Sequence, residues 1–172
     1  SLKNFNPKDT HIMILGAGGA AKSIVTQAVL DGAKKVSIYV RPQSLVKAKE
    51  NFRTLLDQTD CYLEFHDLTD ADHFQKELRQ TDLLVNATSV GMDGESLPIS
   101  IDTRFPKELL VADIIYQPFE TPFLALARKQ EIEAVNGLGM LLYQAAGAFK
   151  LWTGENMPTG AIWQELENIY NS

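Results

Sequence analysis

Cysteine occurs once in this 172-residue chain, at Cys61. A lone thiol excludes an intrachain disulfide and any metal centre built from several cysteines, and it suits a reducing compartment. Long apolar runs are also missing: nothing approaches the roughly eighteen consecutive apolar residues that a membrane-spanning helix needs. Ser1 to Thr10 has neither the charged start nor the apolar stretch of an export signal. These absences predict a cytoplasmic chain. Positive charge is scarce as well, with 16 Lys and Arg against 22 Asp and Glu, a formal net charge of -6, and no basic cluster. Such a balance lacks the electrostatic footprint for nucleic acid or an anionic membrane. No residue is assigned as a metal ligand.

What is present suits one domain with a sizeable core, since 45% of residues are apolar. Ser1 to Thr10 is polar, contains Pro7 and has no periodicity, so it reads as a linker end, with the domain proper over 11–172. From His11 onward, short β-branched runs alternate with segments of helical period. Six strands are predicted, at His11–Leu15, Lys35–Val40, Cys61–Phe65, Leu83–Asn86, Leu110–Ile115 and Ile132–Val135. The intervening helices are predicted near Ala20–Asp31, Ser44–Leu56, Ala71–Arg79 and Pro122–Lys129, followed by Leu138–Thr153 and Ala161–Tyr170. This is the plan of an α/β, Rossmann-like, doubly wound parallel sheet in order 3-2-1-4-5-6 with helices on both faces.

The first strand runs straight into Gly16-Ala17-Gly18-Gly19-Ala20-Ala21, and a helix follows at once. In that context Gly16 permits a tight turn, Gly18 lets backbone approach a pyrophosphate, and N-H groups at the helix start meet its charge. Ala21 stands for the third glycine of the dinucleotide fingerprint. A phosphate-binding P-loop is the rival reading, because Gly16 to Ser23 spells Gly-x-x-x-x-Ala-Lys-Ser, but Ala21 occupies the place of its second glycine. Folds that choose NAD usually hold the ribose with an acid about twenty residues beyond the glycines. No acid occurs between Asp31 and Glu50; Tyr39-Val40-Arg41-Pro42 ends the second strand there, with Lys47 and Lys49 following. A guanidinium at Arg41 suits the 2'-phosphate of NADP.

Asn86-Ala87-Thr88-Ser89-Val90-Gly91 follows the fourth strand, and Asp113-Ile114-Ile115-Tyr116-Gln117-Pro118 follows the fifth. Both leave strand carboxyl ends, where ligands bind in this architecture. Thr121 is a candidate helix cap with Pro122 in the first helical position. In the fifth predicted helix, entered through Asn136-Gly137, Met140 and Gln144 share one face, while Leu141, Ala145, Phe149 and Trp152 form another that can serve the core.

Together the Gly-Ala-Gly-Gly-Ala loop, the Asn-Ala-Thr-Ser-x-Gly turn, the Asp-x-x-Tyr-x-Pro segment and the Gly-x-x-Met-Leu-x-x-Gln helix resemble the shikimate dehydrogenase family's cofactor domain. The resemblance implies that Gly16, Ala17, Gly18, Gly19 and Ala20 hold the pyrophosphate of NADP and Arg41 its 2'-phosphate. It further implies that Thr88, Ser89, Ile114 and Gly137 line the nicotinamide side, with Tyr116 and Gln144 reaching the substrate. Val40-Arg41-Pro42 departs from the family's usual Asn-Arg-Thr and removes side-chain hydrogen bonds to the adenosine phosphate, so NAD stays open as a cofactor. The implied reaction is reversible hydride transfer between the nicotinamide and 3-dehydroshikimate, giving shikimate. A quinate-using dehydrogenase and a non-catalytic dinucleotide-binding module are the alternatives.

The family's catalytic Lys and Asp belong to a preceding substrate domain, so no residue here receives a catalytic role. Lys8 and Asp9 read as solvated linker residues. Ile162, Trp163, Leu166, Ile169 and Tyr170 recur at helical spacing and form an apolar stripe, from which we expect docking onto a substrate domain or self-association.

Overall fold

The computed structural model describes residues 5–171, and the side chains of residues 167, 170 and 171 lie outside that description. Six parallel strands form one sheet in the order β3-β2-β1-β4-β5-β6, as the alternating pattern predicts. They are β1 (His11–Leu15), β2 (Lys35–Val40), β3 (Tyr62–Asp67), β4 (Leu83–Asn86), β5 (Leu110–Asp113) and β6 (Glu133–Val135). The helices are α1 (Gly19–Leu30), α2 (Leu45–Asn51), α3 (Arg53–Leu56), α4 (Ala71–Leu78), α5 (Pro122–Lys129), α6 (Leu138–Thr153) and α7 (Thr159–Asn171).

The two-residue period of β1 explains the two layers. Ile12 and Ile14 point into one core with Val25 and Ala28 of α1, Phe52, and Val36 and Ile38 of β2. Met13 and Leu15 point into the other, with Phe74 and Leu78 of α4 and Phe123, Leu124 and Ala127 of α5. Central strands buried on both faces must read as continuous apolar runs, and β1 does.

The ends of α1, α4, α7 and β6 shift by one or two residues, and four further differences in boundary or face stand out. The helix predicted over Ser44–Leu56 is a 3-10 turn (Pro42–Ser44) and two short helices, broken at Phe52. Phe52 is fully buried, with its ring 5.7 Å from that of Phe65, so the break accompanies the seating of this ring on the sheet. Strand β3 continues through His66 and Asp67, which pair with Tyr39 and Val40. Strand β5 stops at Asp113 because that residue's own carboxylate takes the N-H of Ile115 at 3.1 Å.

The face of α6 assigned to the core is the fourth correction. Leu141, Ala145, Phe149 and Trp152 are all exposed, and the residues buried on this helix are Leu138 and Leu142. The sixteen residues of α6 extend about 24 Å at 1.5 Å per residue. Edge strand β6 is three residues long, so only the first turns of α6 have sheet to pack on. On α7, Ile162, Trp163 and Leu166 are half-buried and Ile169 is exposed, while the Tyr170 side chain falls outside the described set.

Of the ten residues read as a linker, the first four lie outside the described residues. Phe5 packs against the α1-side core, and the Asp9 N-H donates to the Gly32 carbonyl at 2.9 Å.

Candidate functional site

The turn from β1 into α1 cannot be built with another residue at Gly16. Its φ is +100°, and an added Cβ would stand 2.8 Å from Thr88 Cγ2 and 3.1 Å from the Ala87 carbonyl oxygen. At Gly18 and Gly19 the same test meets open space. Gly18 caps α1 without any side-chain hydrogen bond, so the first-turn N-H groups face an approachable surface. The loop is held from both sides: Gly16 N-H donates to the Tyr39 carbonyl at 2.8 Å, and Asn51 Nδ2 donates to the Ala17 carbonyl at 3.3 Å. Lys22 and Ser23, the P-loop signature residues, lie inside α1, where the Ser23 hydroxyl turns back onto the Gly19 carbonyl at 3.2 Å.

In front of this loop lies a cavity of about 840 Å³, lined by Gly16, Ala17, Gly18, Arg41, Lys47, Thr88 and Ser89 among others. Its described lining holds two cations and no acid. Arg41 reaches it because Pro42 opens the 3-10 turn immediately after β2, ending the strand and leaving Arg41 exposed at the rim. Val40 is buried and offers the cavity no polar atom from its side chain.

The turn after β4 is set by two buried polar residues. Asn86 Oδ1 accepts from the Thr88 N-H at 3.1 Å and the Thr88 hydroxyl at 2.7 Å, while Asn86 Nδ2 donates to the Val90 carbonyl at 3.1 Å and to Asp113 Oδ1 at 3.0 Å. Asp113 Oδ2 accepts from the Thr121 hydroxyl at 2.7 Å, and Thr121 in turn caps α5 through the Leu124 N-H at 3.3 Å. Burial pushes the Asp113 carboxyl above its ordinary range, against the opposing pull of these hydrogen bonds. The pair thus ties the ends of β4 and β5 together and fixes where Thr88 and Ser89 stand. Sequence reasoning quoted both motifs but gave neither Asn86 nor Asp113 a part; their placement at adjacent strand ends was the available signal.

The remaining expected residues sit elsewhere. Gly19 and Ala20 form the first turn of α1 behind the loop. Ile114 and Gly137 line a second cavity of about 590 Å³, together with Phe5, Ile24, Tyr143 and Trp163. Gly137 is there for lack of space, because a Cβ would fall 1.8 Å from the Ile114 carbonyl oxygen. Tyr116 is exposed after β5 and Gln144 is exposed on α6; neither is among the lining residues of the two cavities.

The family model described as the shikimate 5'-dehydrogenase C-terminal domain matches residues 137–167. A shikimate dehydrogenase (NADP(+)) of Streptococcus pneumoniae is 52% identical over 169 residues, which is 98% of this chain and 60% of that protein. Over nearly its whole length the chain is similar to shikimate dehydrogenases. Among solved structures, a shikimate 5-dehydrogenase from Listeria monocytogenes in complex with shikimate and NAD superposes with a TM-score of 0.83 at 38% identity, over 92% of this chain and 56% of that one. A shikimate 5-dehydrogenase from Thermus thermophilus in complex with NADP(H) and shikimate gives 0.68 at 32% identity, over 87% and 51%. This chain therefore spans a little over half the length of the shikimate dehydrogenases it matches. None of its described helices is long and apolar enough to cross a membrane.

Proposed function

We propose that this chain is the NADP-binding domain of a shikimate dehydrogenase, an NADP-dependent oxidoreductase that interconverts 3-dehydroshikimate and shikimate. The observation that carries the reading is the uncapped glycine loop opening onto a cavity with Arg41 and Lys47 on its wall and no acid. Such a surface favours a dinucleotide with an added phosphate, which a carboxylate would repel. The NADP(+) dependence of the Streptococcus pneumoniae relative and the NADP(H) in the Thermus thermophilus structure support the choice of NADP, and the NAD in the Listeria monocytogenes structure keeps that cofactor within reach.

In this reading Gly16 to Ala20 receive the pyrophosphate, Arg41 the 2'-phosphate, and Thr88, Ser89, Ile114 and Gly137 frame the nicotinamide. When bound, the cofactor supplies the hydride. The chain's own share is to hold the dinucleotide rigidly and to orient the substrate through Tyr116 and Gln144. Acid-base chemistry is assigned to none of its residues: the carboxylate most deeply placed near the site, Asp113, is engaged by Asn86, Ile115 and Thr121.

Titration of the purified 172-residue chain with NADPH, followed by a shikimate-dependent turnover assay, tests both halves of the reading. Saturable NADPH binding without turnover is expected. Failure to bind NADPH would defeat the cofactor assignment, and shikimate-dependent reduction of NADP by this chain would defeat the statement that it holds no acid-base group.

A further inference from the structure

We propose a divalent transition-metal site, of the kind that takes zinc, formed by His66 of β3 with His73 and Glu77 of α4. His73 of α4 faces the chain's other two histidines, where β1, β2 and β3 present His11, Lys35, Ser37, Tyr39, Glu64 and His66 on one face beneath the helix. One ligand atom each from His66, His73 and Glu77 lies within 4.8 Å of the other two. His73 and Glu77 are four residues apart on α4, hence on one face a single turn apart.

The two oxygens of Glu77 have separate tasks. Oε1 is held by Lys35 Nζ at 2.6 Å and by the Ser37 hydroxyl at 2.6 Å. Oε2 accepts a hydrogen bond from the Tyr39 hydroxyl and lies 3.7 Å from His66 Nε2. Partners of this kind fix the direction of a ligating carboxylate, and a metal at Oε2 would share that oxygen with the Tyr39 hydroxyl.

His66 Nε2 supplies the decisive observation. This nitrogen is buried and makes no hydrogen bond, yet it faces Glu64 Oε2 at 3.5 Å and Glu77 Oε2 at 3.7 Å. These separations exceed the about 2.7–3.2 Å of good N-H to O bonds, so the nitrogen stands beside two carboxylates without being bonded to either. Lys35 Nζ, 2.6 Å from Glu64 Oε2 and 2.6 Å from Glu77 Oε1, offsets part of their charge, and a metal ion held among His66, His73 and Glu77 would supply the missing bond. A tetrahedral zinc ion bonds nitrogen and oxygen at about 2.0–2.2 Å, placing neighbouring ligand atoms about 3.4 Å apart. The His66–Glu77 pair at 3.7 Å is close to that spacing. The exposed His73 side chain, whose Nδ1 lies 2.9 Å from Tyr39 Oη, has the freedom to close the rest, and water would take the fourth position. Two imidazole nitrogens select against magnesium and calcium, which prefer oxygen throughout. The ion would pin α4 to edge strand β3 and stabilise the sheet margin. The lone cysteine directed sequence reasoning away from metals, and nothing in the spacing of histidines at positions 11, 66 and 73 announces a site that only sheet register assembles.

Cobalt(II) titration of tag-free protein, read by the visible absorption of tetrahedral cobalt, tests the site. Folded wild-type protein should develop these bands at micromolar cobalt, lose them on adding zinc, and show a higher thermal midpoint with zinc. His66→Gln and His73→Gln, checked for native circular dichroism, should each weaken binding by about a hundredfold or more, exceeding the roughly 10- to 100-fold effect of losing an outer-shell partner. Cys61→Ser should bind like the wild type. Absence of tetrahedral bands in the folded wild type overturns the site, and so does equal binding by either folded histidine variant.

Discussion

Arg41 follows two buried residues, Tyr39 and Val40, and stands exposed at the rim of the glycine-loop cavity with Lys47 nearby on its wall. A charge-assisted hydrogen bond is worth roughly 1.5–3 kcal/mol, and each 1.4 kcal/mol is tenfold in affinity. Arg41→Ala should therefore weaken NADP about ten- to a hundredfold while leaving NAD within about threefold, as calorimetric titration with both cofactors would show. Equal losses would assign Arg41 to a part shared by the two molecules. At this scale the sequence was legible where a residue's backbone task is local: the tight turn at Gly16 could be identified from a strand, a turn and a helix in succession. Asn86 and Asp113, 27 positions apart, meet only through the register of β4 and β5, and their hydrogen bond has no local signature.

At the scale of elements, the strand order and the helix types followed from period and punctuation, while helix ends and faces did not. Phe52 interrupts what reads as one helix because its ring is needed in the core, a demand set by β3 rather than by its neighbours in the chain. Likewise α6 carries an apolar stripe that would serve a core had the sheet been wider. What joins α6 to the sheet is Gly137, whose N-H donates to the Ile115 carbonyl at 3.0 Å while its missing side chain admits the Ile114 carbonyl. Gly137→Ala places a methyl 1.8 Å from that oxygen, a distance no rotamer change can relieve. Overpacking of about 1–3 kcal/mol is the ordinary cost where side chains can shift, so here the loss should reach or exceed its upper end. Urea denaturation of both proteins measures it. A variant within about 0.5 kcal/mol of wild type would show that α6 can move off β5 freely.

Across the whole molecule, the apolar surface is unevenly distributed. The two cores beneath α1–α2 and α4–α5 bury their apolar side chains, whereas α6 presents Leu151 and Trp152 at 86% and 85% exposure with Leu141, Tyr143 and Phe149 also exposed. Trp163 of α7, by contrast, is half-buried, its ring 3.7 Å from where a Cβ on Gly139 would stand, so it already packs between the two helices. Covering one large apolar side chain is worth roughly 1.5–3 kcal/mol, and Leu141, Phe149 and Trp152 share one side of α6, an arrangement that marks a contact surface. We therefore expect the 172-residue chain to self-associate as its concentration rises. Trp152→Glu should raise the dissociation constant about ten- to a hundredfold by removing one such side chain and burying a charge in its place. Because Trp152 is exposed, this substitution should leave the thermal midpoint of the monomer unchanged, which separates lost contact from lost fold. Sedimentation velocity across a concentration series decides it: a wild-type chain that stays monomeric, or a Trp152→Glu variant that associates equally well, would remove α6 as the contact surface.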